Sequence, residues 1–353
     1  MYNIISPINS LGYGIAGLNI CKSLNQLDPV ALFPLGQPSV TTASDHQQIS
    51  DMMSNAKMPN FSAPCVRIWH QHDMSQFVGN GVKVGFPIFE LDNFTDIEKH
   101  HLIFPDKIFV CSEWAKGVVS QATGRDEDEI HVVPLGVDRS IFRPVEPNTG
   151  ETYTFFNCGK WEVRKGHDII VEAFSKAFNS SDKVELKMMC ENPFNSEEEE
   201  KKWVDIYKNS KLGDKISIIP RVATHEEVYN IMATVDCGVF PARAEGWNLE
   251  LLEMMSCNKP VITTDYSAHT EFCTDDNSFL IDPSEVEPAF DGKWFDGNTG
   301  RWAKIEDKDV DKLAEYMSHV YKQDIRENAN GIITAKEYSW HNSASIIQEI
   351  LGV

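Results

Sequence analysis

The sequence predicts an α/β protein with two parallel-sheet domains. In both halves of the chain, short apolar runs typical of buried strands alternate with amphipathic segments at helical spacing. A stretch from Arg139 to Thr152 contains Pro144, Pro147 and Gly150 and shows no hydrophobic period, so we interpret it as the linker between two such series. With 353 residues, the chain is long enough for each domain to bury its own core.

Composition argues against several classes of protein. The hydrophobic fraction is 42%, and no apolar run approaches the roughly 18 residues that span a bilayer. The N-terminus lacks a basic region followed by an apolar one, so we expect no secretory signal and a cytoplasmic protein. A formal charge of −21 disfavours non-specific binding to nucleic acid or to an anionic membrane. The eight cysteines form no CxxC pair, which predicts buried, reduced thiols and no metal site.

A glycine turn follows the first predicted strand, Asn3–Ile8. Gly12, Gly14 and Gly17 form a GxGxxG pattern at the start of a predicted helix. Strand, glycine turn and helix open many nucleotide-binding layers, because glycine lets a ligand approach the backbone. The alternative is merely a tight turn. A dinucleotide site would need an acidic residue about 20 positions later, and none closes a clear second strand there, which makes a Rossmann dehydrogenase the weakest alternative.

Polar side chains stand at two further strand ends in the N-terminal half. His70 and His72 follow the predicted strand Val66–Trp69, and Glu90 follows Val82–Phe89. Ligands of open α/β sheets bind at the carboxyl ends of the strands, so these side chains are candidates for a ligand-facing role. A structural role is the alternative for each. No other metal-ligand spacing accompanies the two histidines, and we expect no metal.

A strand-loop-helix unit in the C-terminal half has two acids around a helix start. A buried strand at Cys237–Phe240 leads to a loop with Glu245, and a helix is predicted from about Leu249 with Asn248 as its N-cap. The free N–H groups of such a first turn can bind phosphate. Glu253 lies in the second turn. The alternative is an ordinary strand-loop-helix unit with two solvated acids.

Several motifs in the right order resemble the retaining nucleotide-sugar glycosyltransferases of the GT-B fold, in particular the large family 4 group (glycosyl transferases group 1). The resemblance covers about Phe109–Pro283 well and the N-terminal third loosely. The family's two glutamates, separated by seven residues, correspond to Glu245 and Glu253. The motifs are FVCSEWAKGVV at 109–119, VVPLGVDRSIFRP at 132–144, CGKWEVRKGHDIIVEAF at 158–174, and RVATHEEVYNIMATVDCGVFPARAEGWNLELLEMMSCNKPVITT at 221–264.

This resemblance implies two Rossmann-like domains that face a cleft, with the C-terminal helix crossing back to the N-terminal domain. Residues 1–144, completed by a helix at about 335–353, are then the acceptor-side domain. Residues 145–334 are the domain that binds the nucleotide-sugar donor.

The resemblance also implies roles for individual residues. Lys160 and Lys165 occupy the two basic positions of the family's phosphate clamp, although the first is usually arginine. Glu245 is expected to face the transferred sugar, and Glu253 to hold ribose hydroxyls. The family commonly has glycine where Asn248 stands. The other site residues implied are phosphate or sugar contacts from Gly12, Gly14, Trp247, Asn248 and Leu249, base contacts from Arg221 and Val222, and catalytic or acceptor-facing groups His72 and Glu90, with His70 as an alternative.

The implied activity is metal-independent transfer of a hexose from a UDP- or GDP-sugar, with retention at the anomeric carbon and no cofactor. The leaving phosphate would help to take the acceptor's proton. The acceptor is a glycan, a lipid-linked molecule or another small molecule, and nucleic acid is not expected. The alternatives are a nucleotide-sugar epimerase or a phosphorylase on the same architecture, or a non-catalytic sugar-nucleotide-binding protein.

Overall fold

Each half of the chain is built around a six-stranded parallel sheet. The computed structural model describes residues 1–352 and contains two units. Unit 1 comprises Met1–Asp138 together with the stretch that begins at Glu337, and unit 2 comprises Arg139–Lys336. The linker predicted at Arg139–Thr152 carries neither helix nor strand and lies in unit 2.

The sheet of unit 1 has the strand order β2-β1-β3-β4-β5-β6, and all its pairs are parallel. Its elements are β1 (Tyr2–Ser6), α1 (Gly12–Leu27), β2 (Val30–Pro34), α2 (Ala43–Asn55), β3 (Cys65–Ile68), β4 (Lys83–Phe86), α3 (Asp96–Ile103), β5 (Lys107–Val110), α4 (Glu113–Thr123) and β6 (Ile130–Val132).

The sheet of unit 2 has the order β12-β11-β10-β7-β8-β9, also parallel, and an antiparallel hairpin, β13–β14, follows it. The elements are β7 (Tyr153–Cys158), α5 (His167–Ala177), β8 (Val184–Met189), α6 (Glu197–Lys208), β9 (Ile216–Ile218), α7 (His225–Ala233), β10 (Cys237–Phe240), α8 (Leu249–Ser256), β11 (Val261–Thr264), β12 (Phe279–Ile281), β13 (Val286–Phe290), β14 (Asp296–Ala303), α9 (Asp307–Lys322) and α10 (Ala329–Glu337).

The last helix, α11 (Trp340–Leu351), belongs to unit 1 and packs against α1. Trp340, Ala344 and Ile347 are buried at the i, i+4, i+7 spacing that places them on one helix face. Ser343 donates from its hydroxyl to the carbonyl of Pro134, at 2.6 Å, which ties the helix to the segment after β6.

The apolar runs of unit 2 form a core between its sheet and its helices. Phe155 on β7 packs against Phe174 and Phe178 from α5 and its C-terminal end, and Leu313 and Met317 of α9 close the same cluster. Burial of each such side chain is worth about 1.5–3 kcal/mol. This core fixes β7, whose carboxyl end begins the loop that carries the two site lysines.

Besides the N-cap at Asn248, the sequence predicts helix starts at Ser112 and at the capping box of Thr224 and Glu227, and capping hydrogen bonds confirm all three. Ser112 accepts from the N–H of Ala115, and Asn248 from the N–H of Leu251, each at 3.2 Å. Thr224 and Glu227 form the reciprocal bonds of a capping box at the start of α7. In these cases the residue types before the helix were sufficient to locate its first turn.

Two parts of the sequence-based assignment were wrong or incomplete. From its glycines and tryptophans we predict an irregular segment at Pro288–Trp302, but the structure places it in the hairpin β13–β14. The Asp291 carboxylate accepts hydrogen bonds from three backbone N–H groups there and so closes the turn. No helix is predicted at α2 or α3. The start of α3 could have been predicted from the sequence, because Thr95 and Glu98 form a capping box there.

The eight cysteines are buried and free of disulfides, in agreement with the predicted reduced thiols. Within residues 1–352, no helix is both long and apolar enough to cross a membrane.

Candidate active site

Two loops of unit 2 come together because their strands are neighbours in the sheet. β7 pairs with β10, so the loop Gly159–Gly166 after β7 lies beside the loop Pro241–Asn248 after β10. The N–H of Arg243 donates to the carbonyl of Arg164 at 2.7 Å. Gly166 has a φ of +76°, and a Cβ there would lie 2.2 Å from the carbonyl oxygen of Pro241. Glycine is therefore required at this crossing of the two loops.

Glu245 lies between two cations from the neighbouring loop. Its Oε2 is 2.8 Å from a guanidinium nitrogen of Arg164, and its Oε1 is 2.8 Å from the Lys165 ammonium. Burial alone would raise the pKa of this carboxyl, but Arg164 and Lys165 outweigh it and hold the pKa well below its usual range. Burial would lower the pKa of Lys165, and Glu245 in turn holds it above its usual value. All three groups are therefore charged at neutral pH.

A second acid links Arg164 to the other site lysine. Glu162 accepts two bonds from Arg164 on its Oε2, at 3.1 and 2.7 Å, and its Oε1 is 3.0 Å from the Lys160 ammonium. Lys160 is the more accessible lysine, with 36% of its side chain exposed against 12% for Lys165. Its ammonium also lies 5.3 Å from the centroid of the Phe194 ring. The loop after β7 thus carries one nearly buried ammonium, that of Lys165, and one more exposed ammonium, that of Lys160.

Two buried histidines support these loops as neutral imidazoles. His167 accepts from the N–H of Glu162 on Nδ1 at 3.0 Å, and burial, together with Lys165, lowers its pKa to about 3. His269 has a pKa lowered to about 4, chiefly by burial, and its Nε2 faces the Asn248 amide at 2.9 Å. Neither histidine was identified as a site residue from the sequence. Their partners lie on other segments, although His167 stands beside the lysine motif and was within reach of motif reasoning.

The contact with His269 gives Asn248 a role that the glycine suggested here by the sequence resemblance could not have. Asn248 has a φ of 84°, in the left-handed region that glycine adopts freely and that asparagine tolerates better than most residues. Its Oδ1 accepts from Leu251 and its amide nitrogen bonds His269. Asparagine therefore keeps the backbone geometry that glycine would provide and also caps α8.

The start of α8 faces the same sheet edge. Glu253, in the second turn, is buried, and burial followed by the nearby Glu250 carboxylate raises its pKa well above the usual range. Trp247 is buried against Phe272, with ring centroids 4.8 Å apart, which fixes the residue two positions before Leu249. The helix start thus combines the N–H groups of a first helical turn with a buried carboxyl whose pKa is raised.

The expected base contacts lie farther along the sheet edge. Arg221 and Val222 follow β9, which is separated from β7 by β8. Arg221 is exposed, and its N–H donates to the Glu191 carboxylate at 3.3 Å. Along the sheet edge, the residues therefore occur in the order Glu245, the two lysines, then Arg221.

In unit 1 the structure brings together the side chains that the sequence singled out there. The Tyr13 ring, from the glycine turn, lies 4.6 Å from the His70 ring, and His70 stacks on His72 at 5.3 Å. Burial and then the Glu90 carboxylate raise the pKa of Tyr13, so Glu90 is close to the same cluster. His72 is exposed, and His70 and Glu90 are half-buried. These groups thus form one accessible cluster at the strand ends of unit 1.

The glycine turn has one open and two packed glycines. A Cβ at Gly12 would meet nothing within 4 Å, whereas one at Gly14 would lie 2.4 Å from the Asn9 nitrogen, and one at Gly17 2.6 Å from the Pro7 carbonyl. Gly12 therefore has open space beside its Cα, whereas Gly14 and Gly17 allow α1 to pack on its own turn.

We expect Gly14→Ala and Gly17→Ala each to destabilise the protein by about 1–3 kcal/mol, because a methyl group must displace backbone atoms. Gly12→Ala is the matched control and should leave stability unchanged. Urea unfolding followed by circular dichroism measures all three. Equal stability of the Gly12 and Gly14 variants would contradict this assignment.

The fold matches those of solved glycosyltransferases over nearly the whole chain. HepE of Anabaena, solved in complex with UDP and glucose, superimposes with a TM-score of 0.69 at 14% identity and covers 99% of both chains. Sucrose-phosphate synthase from Thermosynechococcus elongatus gives a TM-score of 0.70 at 14% identity, covering 99% of this chain and 97% of its own. WaaG, a glycosyltransferase involved in lipopolysaccharide biosynthesis, gives 0.66 at 13% identity over both full chains. The protein therefore has the GT-B fold.

A family model matches part of the C-terminal unit. Residues 152–292 match the model of the family described as glycosyl transferases group 1. A GDP-mannose-dependent α-(1-6)-phosphatidylinositol dimannoside mannosyltransferase of Mycobacterium tuberculosis is 25% identical over 158 residues, which are 42% of this chain and 39% of the relative. A phosphatidylinositol N-acetylglucosaminyltransferase subunit of Saccharomyces cerevisiae is 21% identical over 191 residues, 51% of this chain and 40% of the relative. The chain thus spans about two fifths of the length of these curated relatives.

Proposed function

We propose that this protein transfers a hexose from a nucleoside diphosphate sugar to an acceptor. The observation that carries this proposal is the charge arrangement after β7 and β10: two lysines, one arginine and a helix start beside the carboxylates of Glu162 and Glu245. The named relatives use GDP-mannose or transfer N-acetylglucosamine, and one structural neighbour binds UDP and glucose. A UDP- or GDP-sugar is therefore the donor class that we infer.

The proposed reaction places negative charge where this site is positive. A diphosphate carries about two negative charges, and breaking the sugar–phosphate bond adds charge to the leaving oxygen. Once the donor is bound, Lys160, Lys165 and the N–H groups at the start of α8 are in place around the diphosphate, so they stabilise the charge that develops in the bond-breaking step. In this proposal the cations take the part of a metal ion, and no cofactor is needed. The leaving phosphate accepts the acceptor's proton, and the anomeric configuration is retained.

The remaining residues have roles along the donor in the order set by the sheet. Glu245, an ionised acceptor of hydrogen bonds, faces the sugar hydroxyls. Glu253, a buried carboxyl with a raised pKa beside the helix start, faces the ribose, and Arg221 and Val222 flank the base. In unit 1 we assign His72 and Glu90 to the acceptor or the sugar. The acceptor itself is proposed only as a hydroxyl-bearing glycan, lipid-linked molecule or small molecule.

A thermal-shift screen against nucleoside diphosphates and their sugars tests the proposal. A ligand at 100 times its Kd stabilises the folded state by about 2.7 kcal/mol, which is readily measured. We expect a selective shift with uridine or guanosine diphosphate, followed by transfer of sugar from the matching donor to an acceptor panel. Nuclear magnetic resonance of the product reports the anomeric configuration. A flat response across the panel would refute the proposal, and turnover that requires free phosphate, or a donor epimer as the product, would identify the phosphorylase or epimerase alternative.

We predict that Glu253→Gln stabilises the folded protein but weakens the binding of a nucleoside diphosphate. The unfolded chain loses this proton near the ordinary pKa of 4.5, whereas the folded protein retains it to higher pH because burial raises the pKa. The unfolded state then binds fewer protons than the folded state, so stability falls as pH rises above 4.5 towards the raised pKa. Glu253→Gln removes this loss and should stabilise the protein, by about 0.5–2 kcal/mol at most.

We therefore expect the Tm of Glu253→Gln to exceed that of the wild type by more at pH 8 than at pH 5, while nucleoside diphosphate binding weakens. Glu172→Gln, at an acid on α5 that is 51% exposed, is the control and should show no such trend. A Tm difference that is independent of pH would contradict the raised pKa, and unchanged binding would contradict the ribose contact.

A further inference from the structure

The two cations that hold Glu245 are attached to the protein in different ways. Arg164 donates to Glu245, twice to Glu162 and to the carbonyl of Ala244 at 2.7 Å, so its guanidinium is anchored on several sides. Among the described residues, the Lys165 ammonium donates only to Glu245. An ammonium has three donors, so Lys165 has two left. One partner of the carboxylate is therefore fixed and the other is held by a single bond.

We propose that the Lys165–Glu245 ion pair is exchangeable and that Arg164 is a positioning residue that keeps Glu245 in place during the exchange. The Glu245 carboxylate pairs with the Lys165 ammonium until the diphosphate of the donor takes the place of the carboxylate. Arg164 then retains Oε2 of Glu245, and Oε1 becomes available to a sugar hydroxyl. This inference rests on the function proposed above and assigns to Arg164 a role in coupling phosphate binding to sugar binding.

The chemistry of the two cations favours this division of roles. A lysine ammonium is a point charge on a flexible stem and can turn towards a diphosphate, whereas a guanidinium is a planar fork that holds several acceptors in fixed directions. A diphosphate also carries more charge than one carboxylate, so it competes well for Lys165. Glu245 is 5% exposed, and without Arg164 the departure of Lys165 would leave a buried carboxylate with no cation. Arg164 removes that obstacle.

It follows that Glu245 competes with the donor's diphosphate for Lys165. Glu245→Gln should therefore bind UDP or GDP about tenfold more tightly than the wild type, as expected when one charge–charge coupling is released, although sugar transfer falls. Isothermal titration calorimetry with UDP and GDP measures the affinity. The matched control is Glu250→Gln, which also removes an acid whose charge acts on Lys165, but one that makes no ion pair with it in the described structure. Equal tightening by both variants would show general charge repulsion and overturn the exchange.

A double-mutant cycle tests the role of Arg164. Arg164→Met should weaken UDP or GDP binding about tenfold, because Glu245 then keeps Lys165, and Arg164→Lys should restore part of that loss. In the Glu245→Gln background, Arg164→Met should have little effect on affinity, because no Glu245 carboxylate remains to compete for Lys165, and Glu162 keeps its ion pair with Lys160. If Arg164 had only a structural role, Arg164→Met would reduce the affinity for UDP or GDP equally in the wild-type and Glu245→Gln backgrounds. Circular dichroism and Tm for each variant establish that the proteins compared are folded.

The outcomes separate this inference from the proposed function. If the wild type binds UDP or GDP but Glu245→Gln binds it no more tightly, the exchange is wrong and the proposed function stands. If the Arg164→Met loss persists unchanged in the Glu245→Gln background, Arg164 is not the positioning residue. If neither the wild type nor Glu245→Gln binds any nucleoside diphosphate, both proposals fail.

Discussion

Lys165→Ala is expected to lower the turnover of the sugar donor by about 100- to 1,000-fold, the usual cost of removing one preorganised group that stabilises transition-state charge. The Lys165 side chain is 12% exposed, and its paired carboxylate holds its pKa above the ordinary value, so the ammonium is charged and poorly solvated before the donor arrives. A charge in such an environment acts more strongly than one in water. Glu245 keeps Arg164 in the variant, so we expect the protein to fold.

Initial rates with the donor selected by thermal shift, at saturating concentration, measure this effect. Lys160→Ala should lower turnover less, because its ammonium is 36% exposed and more strongly screened. Lys201→Ala, at a lysine on α6 that is 73% exposed, is the neutral control. If Lys165→Ala retained more than a tenth of the wild-type rate, the loop after β7 would not be the phosphate site.

Arg326→Ala is expected to destabilise the protein by about 3–5 kcal/mol, because it removes one partner of a buried ion pair. Asp236, which immediately precedes β10, is fully buried. Its Oδ1 is 2.8 Å from a guanidinium nitrogen of Arg326, and its Oδ2 accepts from the N–H of Thr154 at 2.8 Å. This pair ties the start of β7 and the start of β10 to the segment before α10, so its loss also loosens the two site strands.

The stability loss caused by Arg326→Ala should depend on pH in a direction that the Asp236 carboxyl determines. Burial raises the pKa of Asp236, against the opposing effects of the Thr154 N–H and of Arg326. Without Arg326 that pKa must rise further, so the variant is penalised at neutral pH, where the unfolded chain is ionised. The loss in free energy of unfolding should shrink as the pH falls below the ordinary pKa of aspartate, because the Asp236 carboxyl is then protonated in both the folded and the unfolded state.

Urea unfolding at pH 7 and at acidic pH measures the deficit. The double variant Asp236→Asn/Arg326→Met removes both charges and should recover much of the lost stability. A deficit below about 1 kcal/mol at pH 7, the range of a surface ion pair, would show that the pair contributes little.

Local signals in the sequence were sufficient for much of the fold. Cys237–Phe240 reads as a buried strand because its apolar residues are contiguous, and Thr224 with Glu227 marks a helix start because capping is a contact between near neighbours. The hairpin β13–β14 was missed because its two strands do not alternate regularly between buried and exposed residues, and their pairing is visible only in the structure. Helix α2 was missed because it buries only Ile49 and Met52, which leaves almost no hydrophobic period to detect.

The sequence by itself determined which residues are available to the candidate site, since the two lysines and the two glutamates stand in short motifs at strand ends. Only the tertiary structure decided how they are charged and held. Arg164 meets Glu245 across 81 positions of chain because β7 and β10 are neighbours in the sheet, and His269 reaches Asn248 only after β11 has joined the same sheet. The pKa values of Glu245 and Glu253 move in opposite directions for the same reason. Both carboxyls are buried, but the fold supplies cations to one of them and another acid to the other.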